Sequence, residues 1–169
     1  MTCEEIRLLT ADDIDRVMEI ENVCFPAPWE KEAFLNDLTA NAAARYLGVF
    51  FDGVLAGYAG VWFLMEEAHV VNVAVAPEYR RRGLAEKLMD ALIRLCADSG
   101  GVWMSLECRR SNAAAQSLYH KLGFIDVGYR RHYYENDEDA LIMVKLSLPE
   151  PDEDGDPYLV REDVPGDNE

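Results

Sequence analysis

The sequence predicts an α/β domain with one mixed, twisted sheet flanked by helices. Strand-type and helix-type hydrophobic patterns alternate between residues 6 and 148, and the middle of the chain follows a strand–helix–strand order. That order implies a parallel pair of strands, whereas tight turns nearer the ends imply antiparallel pairs. The 169 residues, of which 50% are hydrophobic, suffice for one domain with a full core.

The first half of the chain predicts three strands and two helices. Proline-rich residues 25–29 separate the two helices, and Asp52-Gly53 is a strong hairpin signal between two strands. In chain order we expect a strand at 6–9, a helix from Thr10 to about Cys24, a helix through Phe34 and Leu38, and strands at 45–51 and 54–64.

The second half predicts four strands and two further helices. The longer helix has an apolar face that includes Leu84, Leu88 and Leu92, and it stops before the glycine pair at 100–101. In chain order we expect a strand at 69–76, the helix from 84 to about 95, a strand at 102–108, a helix capped by Ser111-Asn112 and ending at Gly123, and strands at 124–134 and 140–148.

A basic loop joins the strand at 69–76 to the helix that begins at Leu84. Helix starts attract phosphate because their backbone N–H groups lack partners, and Gly83 and Ala85 leave room for close approach. The loop has one glycine rather than the three of a dinucleotide fingerprint, and it lacks the Gly-Lys pair of a Walker loop. Three arginines, at 80–82, add positive charge, so the sequence predicts a pyrophosphate site of another kind.

The chain is strongly acidic, and its negative charge is unevenly distributed. The formal net charge is −16, and residues 149–169 contribute −8 of it, from nine acids and one arginine. We expect this acidic, proline-rich segment to be a disordered tail that follows a single domain at 1–148. An acidic chain does not favour direct contact with nucleic acid, although it can attract a basic substrate.

The cysteines and the N-terminus point to the cytoplasm. The four cysteines form no C-x-x-C pair and do not cluster with histidines, so we expect reduced thiols and no bound metal. The first residues are acidic rather than basic and do not resemble a signal peptide. The longest apolar run, at 54–65, is too short to span a membrane.

The basic loop fits the pattern Arg/Gln-x-x-Gly-x-Gly/Ala, and it resembles the acetyl-CoA loop of the GCN5-related N-acetyltransferases, the GNAT superfamily. Segments 106–115, 118–124, 130–134 and 138–143 look like the RimI branch, as does the Phe-Pro…Trp loop at 25–29. Enzymes of this branch acetylate the N-terminal alanine of small-subunit ribosomal protein eighteen. The resemblance covers residues 6–148 and implies the GNAT fold, in which the two strands beside the pyrophosphate loop splay apart around acetyl-CoA.

The resemblance also implies roles for individual residues. Glu107, at the end of a central strand where open α/β sheets place ligands, matches the general base, and Tyr119 matches the acid that protonates the departing thiolate. The expected acetyl-CoA contacts are Val73, Ala74, Val75, Arg81, Arg82, Gly83, Leu84, Ala85, Glu86 and Asn112. The expected substrate lip is Trp29, Tyr133 and Tyr134, with the acidic residues 135–139 beside it.

Two other functions remain open at this point. One is an acetyltransferase for a different amine, such as a lysine side chain, a polyamine or an aminoglycoside, which the cofactor loop does not exclude. The other is a CoA-binding partner or sensor without catalysis, which the presence of both Glu107 and Tyr119 disfavours. We expect direct attack of the amine on the thioester, because Cys108 should lie in the core on the face opposite Glu107.

Overall fold

The computed structural model describes residues 3–151, which form seven β-strands and four α-helices around one sheet. The acidic segment expected as a tail lies outside the described residues from position 152 onward. The strands are Glu4–Leu8 (β1), Ala44–Phe51 (β2), Val54–Leu64 (β3), Glu67–Val75 (β4), Trp103–Arg109 (β5), Ile125–Arg130 (β6) and Ala140–Lys145 (β7). The helices are Ile14–Cys24 (α1), Lys31–Thr39 (α2), Leu84–Asp98 (α3) and Ala113–Lys121 (α4).

The sheet has the order β1-β2-β3-β4-β5-β7-β6. The pair of β4 with β5 is parallel, and the other neighbouring strands are antiparallel, which confirms the predicted mixed sheet. The hairpin at Asp52-Gly53 is also confirmed, and both residues have positive φ, 49° and 81°, as a tight turn of this kind requires. The position of β7 between β5 and β6 does not follow from the order of elements in the sequence.

The parallel pair opens into a fork. Residues 67–69 of β4 pair with residues 103–105 of β5, and His69 with Ser105 is the last pair. Beyond it, β4 continues to Val75 and β5 to Arg109 with no further pairing between the two strands among the described residues. A bulge at Val71 disturbs the pairing of β4 with β3 at the same level. The expected splay of these two strands is therefore confirmed.

Helices cover both faces of the sheet and bury two apolar clusters. The cluster under α3 includes Leu84, Leu88 and Leu92, as the predicted apolar face requires. The second cluster, under α1 and α2, contains Phe34 and Tyr46, whose rings meet edge to face at 5.8 Å. No helix within residues 3–151 combines the length and apolar character needed to cross a bilayer.

The last two strands are shorter than expected. Strand β6 ends at Arg130 rather than at Tyr134, and β7 ends at Lys145 rather than at 148. After Arg130 the backbone bonds within its own loop: the N–H of Tyr134 donates to the carbonyl of Glu138, and the N–H of His132 donates to the Asp139 carboxylate. His132 also has a positive φ of 54°. Tyr133 and Tyr134 consequently lie in a loop rather than on a strand.

Candidate active site

The fork between β4 and β5 opens into a cavity of about 840 Å³. Its walls come from β4, β5, the start and middle of α4, the loop after α1 and the loop after β6. Seven residues expected at the site line this cavity: Trp29, Val73, Glu107, Asn112, Tyr119, Tyr133 and Tyr134. The structure therefore brings the expected base, acid and substrate lip into one space.

Glu107 lies near the end of β5 with its side chain 10% exposed. Nε2 of His69 lies 3.0 Å from Oε2 of Glu107, and Nε of Arg130 lies 3.3 Å from Oε1. Burial raises the pKa of Glu107, but the hydrogen bond and charge of His69 and the charge of Arg130 outweigh it, so the pKa lies below its ordinary range. The carboxylate is therefore ionised at neutral pH.

Sequence reasoning missed His69. Its Nδ1 lies 2.8 Å from Oγ of Ser105, which in turn donates to Oε1 of Glu67 at 2.6 Å. The sequence places His69 two residues after Glu67, and likewise Ser105 two residues before Glu107, so alternation along each strand puts each pair on one face. The register that brings the two pairs together is visible only in the structure.

Tyr119 and Asn112 both lie on the side of α4 that lines the cavity. The Tyr119 ring is buried and meets Phe124 at 5.8 Å, while the residue also lines the cavity. Burial raises the pKa of Tyr119 strongly, so its phenol stays protonated at any physiological pH. Asn112 caps α4 by accepting the N–H of Ala115 at 3.1 Å, which ties its side-chain oxygen to the helix.

A buried carboxylate, also missed from the sequence, holds the first loop of the lip. Glu21 in α1 is 1% exposed. It accepts the backbone N–H of Trp29 at 3.0 Å, the amide of Asn72 at 2.9 Å and the hydroxyl of Tyr58. Burying an acid costs free energy unless it is hydrogen-bonded, and these three donors meet that need. Glu21 thereby fixes the position of Trp29 relative to β4.

The acidic residues beside the lip are less available to attract a basic substrate than the sequence suggests. Arg109 lies 2.5 Å from Glu135 and 3.3 Å from Glu138, and its guanidinium stacks over the Tyr134 ring at 4.1 Å. Tyr133 packs against Tyr134 with a ring separation of 5.1 Å. Arg109 thus ties the acidic loop to β5 and neutralises part of its charge.

The basic loop lies outside the cavity wall. Gly83 is the N-terminal cap of α3 with φ 72°, and a Cβ built there would meet nothing within 4 Å. Arg81 also has a positive φ, 64°, and Arg82 extends over the rings of Tyr79 and Phe51. Gly83, Arg81 and Arg82 are all exposed. The start of α3 therefore presents open backbone beside positive charge.

Several other residues expected to contact the cofactor have side chains that are buried or already paired, so only their backbone groups remain for such contacts. The side chains of Ala74 and Leu84 are buried in the core, and Glu86 forms an ion pair with Lys121 at 2.9 Å. The carbonyl of Val75 already accepts the Cys24 thiol at 3.4 Å. Toward β5, the described part of the sheet leaves the edge of Val73–Val75 unpaired.

Two further observations bear on the chemistry. Cys108 is buried as expected, and burial, assisted by nearby carboxylates, raises the pKa of its thiol to about 11. Within residues 3–151 no group of three or more His, Cys, Asp or Glu side chains is arranged to hold a metal ion.

Known proteins resemble this chain in sequence and structure. The model of the acetyltransferase (GNAT) family matches residues 14–124. A Bacillus subtilis protein provisionally named ribosomal protein bS18-alanine N-acetyltransferase is 45% identical over 139 residues, covering 82% of this chain and 92% of the relative. The ribosomal-protein-S18-alanine N-acetyltransferase of Escherichia coli superposes with a TM-score of 0.79 at 32% identity, covering 87% of this chain and 96% of that one.

A more distant structure shares the fold. Paia N-acetyltransferase of Thermoplasma acidophilum, solved in complex with coenzyme A, gives a TM-score of 0.71 at 21% identity, with 85% of this chain and 99% of that one covered. The family match runs from the first helix through β4, β5 and α4, which are the elements that form the fork. This chain therefore belongs to the GNAT family of acetyltransferases, as its basic loop and second half predict.

Proposed function

We propose that this protein acetylates the N-terminal α-amino group of a protein, and that the N-terminal alanine of ribosomal protein bS18 is its acceptor. The observation that carries the proposal is the cavity at the fork, which an ionised Glu107 and a protonated Tyr119 both line. The names of the Bacillus and Escherichia relatives support the choice of acceptor. Acting on a ribosomal protein would place the enzyme in the cytoplasm, and the net charge of −16 disfavours direct contact with nucleic acid.

The residues present fit acetyl-CoA, which family members use. Open backbone at Gly83, together with Arg81 and Arg82, suits a pyrophosphate, since a helix start offers unpaired N–H groups. The unpaired edge of Val73–Val75 suits the amides of a pantetheine arm, and Asn112 lies across the cavity from it. When bound, acetyl-CoA supplies an acetyl group activated as a thioester.

Glu107 acts on the amine. A free α-amino group has a pKa near ~8 and is mostly protonated at neutral pH, so it must lose a proton before it can attack. The ionised carboxylate of Glu107 accepts that proton, either directly or through a water molecule. Because its pKa is depressed, Glu107 is a weaker base than an ordinary carboxylate, but it stays ionised throughout the neutral pH range.

Tyr119 supplies a proton to the departing sulfur. A thiol of pKa near ~8.5 leaves as a thiolate unless it is protonated, and the Tyr119 hydroxyl retains its proton under the same conditions. Cys108 lines the same cavity but holds its proton at neutral pH, which makes it a poor nucleophile. Direct attack by the amine is therefore the mechanism that the site favours over an acyl-cysteine.

The lip around Trp29, Tyr133 and Tyr134 suits a small N-terminal residue followed by basic ones. We expect an Ala-starting peptide with downstream arginines to react faster than the same peptide with glutamines. Because Arg109 already binds Glu135 and Glu138, the preference should be modest and due largely to the overall negative charge and to exposed Asp137.

Initial rates for the arginine and glutamine peptides, measured over a range of salt concentrations, test this preference for basic residues. The Debye length falls from about 10 Å at 0.1 M salt to about 3 Å at 1 M, so the preference for the basic peptide should shrink. Equal rates at low salt would contradict an electrostatic contribution to substrate choice.

Gly83→Val should weaken binding of CoA. Its side chain would occupy the space in which backbone N–H groups meet the pyrophosphate, and a residue other than glycine at φ 72° adds strain of about 1–2 kcal/mol. Gly53→Val is a matched control, because Gly53 also has positive φ and open space but lies in the β2–β3 turn. Calorimetry should show weaker CoA binding for Gly83→Val alone, and equal affinity in both variants would remove the loop from the cofactor site.

A further inference from the structure

Four side chains form a continuous line of polar contacts at the base of the fork. It runs from Oε2 of Glu107 to Nε2 of His69 at 3.0 Å, from Nδ1 of His69 to Oγ of Ser105 at 2.8 Å, and from that oxygen to Oε1 of Glu67 at 2.6 Å. Glu107 faces the cavity, whereas Glu67 is the first residue of β4 and is partly exposed at the other end of the line.

The line can take up one proton. Each of its three gaps joins two electronegative atoms, which repel unless a hydrogen lies between them, so three hydrogens are needed. A neutral imidazole and a serine hydroxyl supply two. With both carboxylates ionised, the line is one hydrogen short, so it has room for one extra proton, which Glu107 can accept.

That extra proton can move along the line. If Glu107 holds it, the hydrogens point toward Glu67. Moving one hydrogen across each gap leaves Glu107 ionised and Glu67 protonated, with no side chain gaining more than one proton. Glu67 can then release its proton to water, since it is partly exposed. Water exchange at the His69 imidazole, whose side chain is 23% exposed, lets the ring return to its starting tautomer.

The proposed reaction needs such an outlet. An amine that enters as an ammonium loses two protons when it becomes an amide: one replaces the proton that Tyr119 gives to the departing thiolate, and the other must leave the site. Arg130 also lies beside Glu107, but a guanidinium accepts no proton. Tyr133 and Tyr134 face the same carboxylate, and burial raises the pKa of both phenols, so they donate rather than accept.

On the basis of the proposed acetyl transfer, we propose that His69, Ser105 and Glu67 carry the proton accepted by Glu107 out of the active site to solvent. Per turnover the line takes one proton from the ammonium at Glu107 and gives one to water at Glu67, so its own proton content is unchanged. These three residues act through Glu107 and need not touch the substrate.

Glu67→Gln is the sharpest test, because a glutamine oxygen still accepts the Ser105 hydroxyl but cannot take its proton. At pH 7 we expect kcat to fall about tenfold, less than the ~10²–10⁴-fold typical of a lost general base, with KM values unchanged. The loss should shrink above pH 8, where the amine enters neutral and no net proton has to leave. Ser105→Ala should lower kcat in the same way.

His120→Asn is the control for these substitutions. It breaks an exposed pair between His120 on α4 and Asp126, 2.7 Å apart, and its kcat should match that of the parent.

Nitrogen NMR of the His69 ring in the protein without acetyl-CoA gives a readout independent of turnover. Glu67 does not touch His69, yet Glu67→Gln should shift the His69 ring nitrogen signals at pH 7, because both residues bond to the Ser105 hydroxyl and share its hydrogen. The relay would be overturned if the His69 ring signals were the same in Glu67→Gln and in the parent. It would also be overturned if both Glu67→Gln and Ser105→Ala kept the parent kcat at pH 7. The proposed function fails separately, if Glu107→Gln is itself as active as the parent.

Discussion

Glu107→Gln should lower turnover by about 10²–10⁴-fold at neutral pH, the range typical of a lost general base. Glutamine preserves the size of the side chain but cannot accept a proton from the ammonium form of the substrate. Affinity for CoA should change little, since the basic loop lies outside the cavity that Glu107 lines. Rates measured at saturating substrates, with calorimetry for CoA, separate the two effects.

The pH dependence of this loss has a definite sign. Because the pKa of Glu107 is depressed, the parent enzyme should retain its base down to acidic pH, and its rate should rise toward the amine pKa near ~8. Above that pH the amine is already neutral, so the difference between Glu107→Gln and the parent should narrow. Glu19→Gln, on the exposed side of α1, is a control for the substitution itself. A Glu107→Gln variant with the parent rate at pH 7 would remove Glu107 from the mechanism.

Tyr119→Phe should lower kcat by about 10²-fold, at the lower end of the range for a lost general acid. Only the hydroxyl is removed, so the ring should keep its edge-to-face contact with Phe124 and the thermal stability should change little. The loss should persist at alkaline pH, because burial raises the pKa of Tyr119 and its phenol remains a donor there.

Tyr129→Phe provides the matched control for this change. Tyr129 is 53% exposed on β6 and does not line the cavity, so loss of its hydroxyl should leave kcat unchanged. If Tyr119→Phe turns over as fast as Tyr129→Phe, then Tyr119 is a packing residue and another group protonates the thiolate.

Most of the fold followed from local sequence patterns. The helix period of Leu84, Leu88 and Leu92 predicted the face of α3 that is buried, and Asp52-Gly53 predicted the hairpin, because such signals depend on neighbouring residues. Strand β6 was overestimated, since the aromatic pair Tyr133 and Tyr134 looks like strand sequence. There the backbone bonds to the acidic residues of its own loop instead.

Residues of the candidate site could be predicted only where they belong to a recognisable sequence motif. Glu107 and Tyr119 followed from a family resemblance, and both line the cavity. His69 and Glu21 carry no motif, and their places in the candidate site depend on contacts with residues 38 and 51 positions away in the chain, Glu107 and Asn72 respectively. Such long-range contacts are set by the register of the parallel pair and by the packing of α1 on the sheet, which one sequence does not reveal.

The acceptor proposed for this enzyme is the N-terminal amine of ribosomal protein bS18. Purified bS18 with a free N-terminal alanine, incubated with the enzyme and acetyl-CoA, should gain one acetyl group, and fragmentation by mass spectrometry should locate it on that alanine. A second sample with a chemically blocked N-terminus should gain none. Acetylation of lysine in the blocked sample, or an unmodified alanine in the free one, would contradict the proposed function even if the protein binds acetyl-CoA.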